Sequence, residues 1–126
     1  MSVLVTDKGF SRDADALTIS GTVLDLASDT DPETVDFDGA DAIRVDFPSF
    51  ADGRGFTIAS VLRRRGFSGR LRAAGHVIAD QYTMARRSGF DEVEISDDLA
   101  ARQPEEQWAF RASWQAHDYQ SRLRAG

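Results

Sequence analysis

The chain of 126 residues contains no cysteine, and this absence excludes several kinds of site. Disulfides, thiolate metal centres, iron–sulfur clusters and a cysteine nucleophile all require a thiol. Any redox reaction would therefore depend on a borrowed cofactor, and the sequence does not identify one.

Long apolar segments are also absent, and only three prolines occur. No stretch approaches the ~20 apolar residues that span a bilayer, and no charged leader with an apolar segment opens the chain. We therefore expect a cytoplasmic protein without a membrane partner. With 41% hydrophobic residues, the composition is typical of one globular domain over residues 1–126.

Positive charge is in the minority, because 21 Asp and Glu residues outnumber 15 Lys and Arg residues. Binding to nucleic acid needs clustered cations that displace counterions from phosphates, so we expect no nucleic-acid partner. The cations between Arg44 and Arg87 are all arginines, whereas the first forty residues carry most of their charge as Asp. One face of the protein is therefore expected to be locally positive.

A unit of strand, loop, helix and Gly-Phe occurs twice in the middle of the chain. Ile58, Val61 and Leu62 fall at helical spacing in the first unit, and Gly66 and Gly89, each followed by Phe, end the two helices. The predicted segments are strands at 42–47, 70–74 and 92–95, a helix from about 57 to 66 and a helix at 76–88. Alternation of this kind builds a parallel sheet through right-handed crossovers.

The two ends of the chain are less regular. Residues 1–16 are interpreted as a loosely ordered arm or an edge hairpin, and residues 17–28 alternate as extended structure does. Asp31 is a candidate N-cap for a short helix with Pro32 at its first position. A last helix starts near Pro104 and is expected to cover a sheet face. Its aromatic residues, interpreted as core or subunit-interface positions, are Trp108, Phe110 and Trp114.

These segments predict a single α/β domain whose sheet has four to five mostly parallel strands built from βα repeats. The architecture is expected to be Rossmann-like or partial-barrel-like, since a whole (βα)₈ barrel takes about 250 residues. An open sheet edge or an apolar face would favour a homo-oligomer.

Ligands of parallel sheets bind at the carboxyl ends of the strands, which here precede the loops 48–56, 74–76 and 96–98. The first loop is long and contains Asp52, Gly53, Arg54 and Gly55. The glycines allow positive φ and close backbone approach, the following helix offers free N–H groups, and Arg54 offers a planar fork of donors. The loop is therefore a candidate site for a carboxylate, sulfate or phosphate, with Asp52 orienting Arg54.

A purely structural interpretation of this loop stays open. Asp-Gly is ordinary turn chemistry, and Asp52 with Arg54 would then only cap the loop. The dinucleotide fingerprint is not met, because the position for its third glycine is Ile58, and no Walker lysine follows. No metal site is predicted, since Thr34 occupies the place that a calcium loop reserves for glycine.

His76 lies in the second loop, at or just before the start of its helix. A proton-transfer role and a capping or packing role are both open for it. Arg72 on the preceding strand and Gln81 on the helix complete the set of candidate binding residues, and with Asp80 they are interpreted as hydrogen-bonding partners rather than catalysts.

Three strings between residues 45 and 95 resemble the signature block of a bacterial family, the domain-of-unknown-function family nine-three-four. The chain reads FPSFADGRGFT, GRLRAAG and then DQ with GFD, and family members read F-P-x-F-x-D-G-R-G-[FY]-[ST], G-x-L-R-A-x-G and D-Q…GFD. The matching positions are Phe47, Pro48, Phe50, Asp52, Gly53, Arg54, Gly55, Leu71, Arg72, Gly75, Asp80, Gln81, Gly89, Phe90 and Asp91. Members often carry Asp at the place of His76 and Cys at the place of Ser88, so neither a carboxylate nor a thiol is essential there.

Family members are commonly encoded beside sulfite reductase and other assimilatory sulfur genes. The resemblance therefore implies an accessory role in assimilatory sulfate or sulfite reduction, as an oxidoreductase-associated protein without a redox group of its own. Its partner would be sulfite reductase or another sulfur-assimilation protein. The Asp52–Gly55 loop would either hold a small anion or dock on the reductase. The alternatives are a small enzyme that transfers protons through His76 and Asp52, and a purely structural interaction module.

Overall fold

Six short segments pair into one sheet in the computed structural model, which describes residues 2–112. The strands are β1 (Ser2–Thr6), β2 (Gly9–Ser11), β3 (Val23–Leu26), β4 (Ala42–Phe47), β5 (Arg70–Gly75) and β6 (Glu92–Ser96). They lie in the order β2-β1-β6-β5-β4-β3. Neighbours among β3 to β6 are parallel, whereas β1 is antiparallel to both β6 and β2. The prediction of a mostly parallel α/β sheet is confirmed.

The number of strands exceeds the prediction of four to five, because an N-terminal hairpin joins the four parallel strands. β1 pairs with β6, and β2 forms the outer edge, so residues 2–11 adopt the hairpin alternative. Val3 and Val5 on β1 are fully buried. Their burial next to β6 explains why the hairpin lies within the sheet rather than apart from it.

The helices connect and cover the strands. They are α1 (Ala14–Leu17), α2 (Arg54–Arg64), a 3₁₀ turn (Ala79–Gln81), α3 (Tyr82–Ser88), α4 (Asp97–Arg102) and α5 (Glu105–Arg111). Both predicted glycine ends are confirmed. Gly66 and Gly89 have φ of 101° and 115°, and the following Phe67 and Phe90 amides donate back to the carbonyls of Leu62 and Ala85 at 3.0 Å.

The short helix predicted at Asp31 and Pro32 is wrong. The Asp31 carboxylate accepts a hydrogen bond from the Glu33 amide at 3.0 Å and closes a single turn, after which the chain extends. Val35 is buried, and Phe37 packs edge-on against Phe67. With Val35 in the core and Phe37 packed against it, tertiary contacts hold the segment as an irregular connection, and a short isolated helix is too weak to compete.

Three further boundaries differ from the predictions. α2 begins at Arg54 rather than near Thr57, and the extended segment predicted at 17–28 shortens to β3 at Val23–Leu26. The helix predicted at 76–88 starts later, because Ile78 has an extended backbone and its amide donates to the Gln81 side chain, so the 3₁₀ turn begins only after it.

The last helix packs beside the helical layer rather than across a sheet face. Trp108 on α5 is buried against Tyr82 and Phe10 in edge-on contacts. Phe110 is 64% exposed, so its interpretation as a core residue is wrong. Trp114 lies outside the described residues.

The two faces of the sheet have opposite character. Side chains alternate along each strand, and the apolar set, which includes Ile43, Val45 and Leu71, faces the core with α2 and α3. The alternate positions of β3 to β6 carry charged residues. We call this second surface the charged face; it contains Asp25, Arg44, Asp46, Arg70, Arg72, Ala74, Glu92 and Glu94. Parallel strands in consecutive order with crossovers of one hand place the connecting helices on one side, which leaves the charged face without them.

Replacement of Arg63 should destabilise the fold far more than replacement of its neighbour Arg64. Arg63 donates to the carbonyls of Gly89 at 2.9 Å, Phe67 at 3.0 Å and Gly69 at 2.8 Å, and thus ties α2 to the turns before β5 and β6. Arg63→Met should lower the unfolding free energy by about 2–4 kcal/mol, because these carbonyls lose their donor.

Arg64→Met is the matched control for urea unfolding of the two variants. The Arg64 side chain is 68% exposed, and among residues 2–112 its one ion pair is with the exposed Glu33. Its loss should cost no more than about 0.5 kcal/mol. Equal destabilisation by both replacements would contradict the bracing role of Arg63.

Candidate functional site

The loop 48–55 joins the carboxyl end of β4 to the start of α2, and its backbone is folded on itself. The Asp52 amide donates to the Ser49 carbonyl at 3.0 Å, and the Ala51 amide donates to the Ser49 hydroxyl at 3.2 Å. Pro48 ends the strand, since it has no amide with which to continue the ladder. The loop therefore has a defined turn before α2 begins.

Asp52 and Arg54 form a bidentate ion pair within this loop. The Asp52 carboxylate accepts from Arg54 Nε at 2.9 Å and Nη2 at 2.8 Å, and its Oδ1 also accepts from the Arg54 amide at 3.1 Å. Nη2 donates in addition to the Ser28 hydroxyl at 3.1 Å. These hydrogen bonds from Arg54 hold the pKa of the Asp52 carboxyl well below its usual range, and the same contact raises the pKa of Arg54. The anion at the start of α2 is thus the carboxylate of the loop itself.

The two glycines of the loop do not have the backbone conformation that was expected of them. Gly53 has φ of −86°, and Gly55 lies in the first turn of α2 outside the positive-φ region. A Cβ on Gly55 would overlap the ring of Phe47, whereas a Cβ on Gly53 would have its nearest neighbour in Phe56 at 4.0 Å. The expected close approach is therefore made by Gly55, and it is to an aromatic ring of the core.

Residues from the next βα connection hold the loop from outside. The Gln81 side chain donates to the Phe50 carbonyl at 2.7 Å, and the His76 amide donates to the Phe47 carbonyl at 2.8 Å. Gly75 has φ of 119° and lies where a Cβ would press on the Phe47 carbonyl. The first two strings and Gln81 of the third thus meet in space at the carboxyl ends of β4 and β5, whereas Gly89 to Asp91 lie at the amino end of β6. The Phe50 side chain is 58% exposed on the fixed loop.

The side chains considered for proton transfer are not joined by hydrogen bonds. His76 is exposed, and its imidazole has no hydrogen-bonding partner in the part of the chain from residue 2 to residue 112. The Asp52 carboxylate already accepts hydrogen bonds from Arg54, and a carboxylate with a lowered pKa is a weak base. Within the described residues, no group of acidic or histidine side chains has the arrangement of a metal site.

Arg72 lies apart from the loop, in the covered part of the charged face. It is fully buried and donates to Glu92 at 2.9 Å, to Glu94 at 2.8 Å and to the Leu17 carbonyl at 2.7 Å. The interpretation of Arg72 and Gln81 as hydrogen-bonding partners agrees with these contacts, and Asp80 pairs with Arg111 at 2.6 Å.

Sequence reasoning missed Ser28 as a partner of Arg54. It follows β3, which pairs in parallel with β4, so the ends of both strands meet at one edge of the sheet. A shallow cavity of about 260 Å³ lies there. Its lining is Ser28, Asp29, Thr30, Pro32, Arg54, Thr57 and Ile58. Asp29 at its rim adds a second negative charge, so the cavity is poorly suited to an anion.

The stabilisation that Asp52 provides should depend on pH in the acid range. Because its pKa is lowered in the folded protein, the carboxylate stabilises the fold above its ordinary pKa of 3.8, and this contribution is lost as the pH falls further. Wild type should therefore melt at a higher temperature than Asp52→Asn near neutrality, and the difference should shrink progressively below pH 3.8.

Asp38→Asn removes the same charge from an exposed carboxylate that has no partner among residues 2–112, and it controls for net charge in these melting curves. The melting temperature of Asp38→Asn should stay close to that of wild type at every pH. A gap between wild type and Asp52→Asn that stays constant down to the lowest pH would contradict the ion pair.

The comparisons with known proteins agree with the resemblance seen in the sequence. The family described as a bacterial protein of unknown function (DUF934) matches residues 21–125. No curated protein and no solved structure shows significant similarity to the chain. No helix among residues 2–112 is long and apolar enough to cross a membrane. Since the match extends from before β3 to beyond α5, the chain belongs to the DUF934 family of bacterial proteins.

Proposed function

We propose that the protein is a cytoplasmic accessory of assimilatory sulfate or sulfite reduction that docks on sulfite reductase through the loop 48–55. The sulfur-assimilation role is what the family resemblance implies, and one observation carries the docking: Phe50 is 58% exposed on a loop whose backbone is fixed on both sides. An exposed aromatic ring on a fixed loop is suited to be an interface anchor, and aromatic anchors supply much of the affinity of protein interfaces.

The rigidity of the loop favours docking. The Asp52–Arg54 pair closes the loop from within, and the Gln81 side chain holds the Phe50 carbonyl from outside. A preformed loop loses little conformational entropy when a partner binds, so more of the contact energy appears as affinity.

The same geometry disfavours the anion-binding alternative. Two of the three guanidinium nitrogens of Arg54 already donate to Asp52, and one of them also donates to Ser28. An incoming sulfite or sulfate would have to displace the Asp52 carboxylate or remain beside it. An anion beside the Asp52 carboxylate would be repelled by its negative charge. Docking of a protein is therefore the better supported role for this loop.

The strand order supports the partial-barrel-like alternative over the Rossmann-like one. Doubly wound sheets bind cofactors in the crevice where the strand order reverses, and β3 to β6 follow one another without such a reversal. The enzyme alternative has less support than docking, because His76 and Asp52 are not joined in a proton relay.

Replacement of Phe50 should weaken the complex with sulfite reductase from the same organism. Phe50→Ala removes the exposed anchor and should lower the affinity by about tenfold or more, measured by biolayer interferometry with immobilised reductase. Phe110→Ala is the matched control, since Phe110 is also a largely exposed phenylalanine but lies on α5. It should bind as wild type does.

Both variants should keep the melting temperature of wild type within about 2 °C, because neither ring is buried. Docking through this loop would be contradicted if Phe50→Ala and Phe110→Ala bound the reductase equally well. A rise in the melting temperature of wild type with sulfite, absent in Arg54→Ala, would instead support the anion-binding alternative.

A further inference from the structure

The charged face is unusual for a sheet whose strands are parallel. Parallel sheets are generally covered on both faces, and here α2 and α3, the helices that connect the parallel strands, lie on the apolar face. Residues 16 and 17 cover the β5 and β6 side through contacts of their carbonyls with Arg70 and Arg72. On the β3 and β4 side, Asp25 and Asp46 are exposed, so residues 2–112 leave this part of the face uncovered.

In one row of paired residues across this face, the positive and negative charges are paired with each other. The register places Asp25, Arg44, Arg72 and Glu92 side by side on β3, β4, β5 and β6. Asp25 accepts from Arg44 at 2.6 Å, and Glu92 accepts from Arg72 at 2.9 Å. Each arginine in this row therefore has a carboxylate beside it.

The next row toward the loop 48–55 lacks a cation. Its members are Asp46, Ala74 and Glu94, so a methyl group stands between two acids. Glu94 pairs instead with two arginines of the first row, with Arg72 at 2.8 Å and with Arg44 at 3.6 Å. Asp46 is exposed and has no hydrogen bond or ion pair with any residue from 2 to 112.

The open side of this row forms a shallow cleft of about 280 Å³. Its lining is Asp25, Leu26, Arg44, Asp46 and Ala74. Ala74 leaves room above β5 and offers its methyl group as apolar surface, and Asp46 supplies the unpaired charge. An arginine or lysine fits such a cleft, because its stem lies on apolar surface while its charged end meets a carboxylate.

We propose that this cleft receives an arginine or lysine side chain of the protein partner. The inference rests on the proposed docking function and extends it, because Asp46 lies on β4 just four residues before the anchor Phe50. The partner would then present an apolar pocket for Phe50 and a cationic residue for Asp46. A second copy of the chain is a poorer occupant, since two such faces would bring like charges together.

Binding of sulfite reductase to Asp46→Asn tests this assignment. Removing the unpaired carboxylate should weaken the complex by about tenfold and make its affinity less sensitive to salt. Asp38→Asn makes the same charge change in the connection that precedes the amino end of β4, and it should bind as wild type does. If wild type binds and Asp46→Asn binds equally tightly, this inference is overturned while the docking function stands.

A second measurement needs no partner, and it separates the failure of this inference from the failure of the docking function. Ala74→Arg places a guanidinium between Asp46 and Glu94 and should raise the melting temperature by roughly 2–4 °C. In the Asp46→Asn background the gain should disappear. A gain of the same size in both backgrounds, or none in either, would show that the row does not hold a cation. A dimer of wild type that Asp46→Asn dissociates would make a second copy the occupant and overturn the assignment.

Discussion

The Asp52–Arg54 ion pair is the contact on which the rest of the candidate site depends. By accepting from both the Arg54 side chain and its amide, Asp52 fixes the loop and neutralises the start of α2 in one step. The first turn of α2 can then press Gly55 against the ring of Phe47. Without this pair, the loop would keep only the turn at Ser49 and the contact from Gln81 to the Phe50 carbonyl, and its junction with α2 would lose its closure.

Much of the fold is predictable because it depends on local signals. Gly66 and Gly89, each followed by Phe, mark the helix ends since only glycine adopts that backbone angle easily. The helix predicted at Asp31 fails for a non-local reason, because Val35 is buried in the core and holds the segment in an irregular connection. The local pattern of an N-cap and proline could not reveal that contact.

Some features of the candidate site are likewise predictable from local sequence, and others depend on contacts made in the folded chain. The loop from Asp52 to Gly55 stands out in the sequence through its composition and its place after a strand. The ion pair of Arg54 with Asp52 depends on how the loop folds back on itself. The pairing of Arg72 with Glu92 depends on which side chains the strand register brings together. Sequence patterns locate a charged residue, whereas cross-strand pairing decides whether its charge remains available to a ligand.

Hydrogen exchange of the loop amides, with and without sulfite reductase, tests the central claim most directly. In the free protein the Arg54 and His76 amides should already exchange slowly, because they donate to Asp52 and to the Phe47 carbonyl. Addition of the reductase should slow exchange further at residues 48–55. Loop amides that exchange as in an unfolded chain, or protection confined to other surfaces, would contradict docking through a preformed loop.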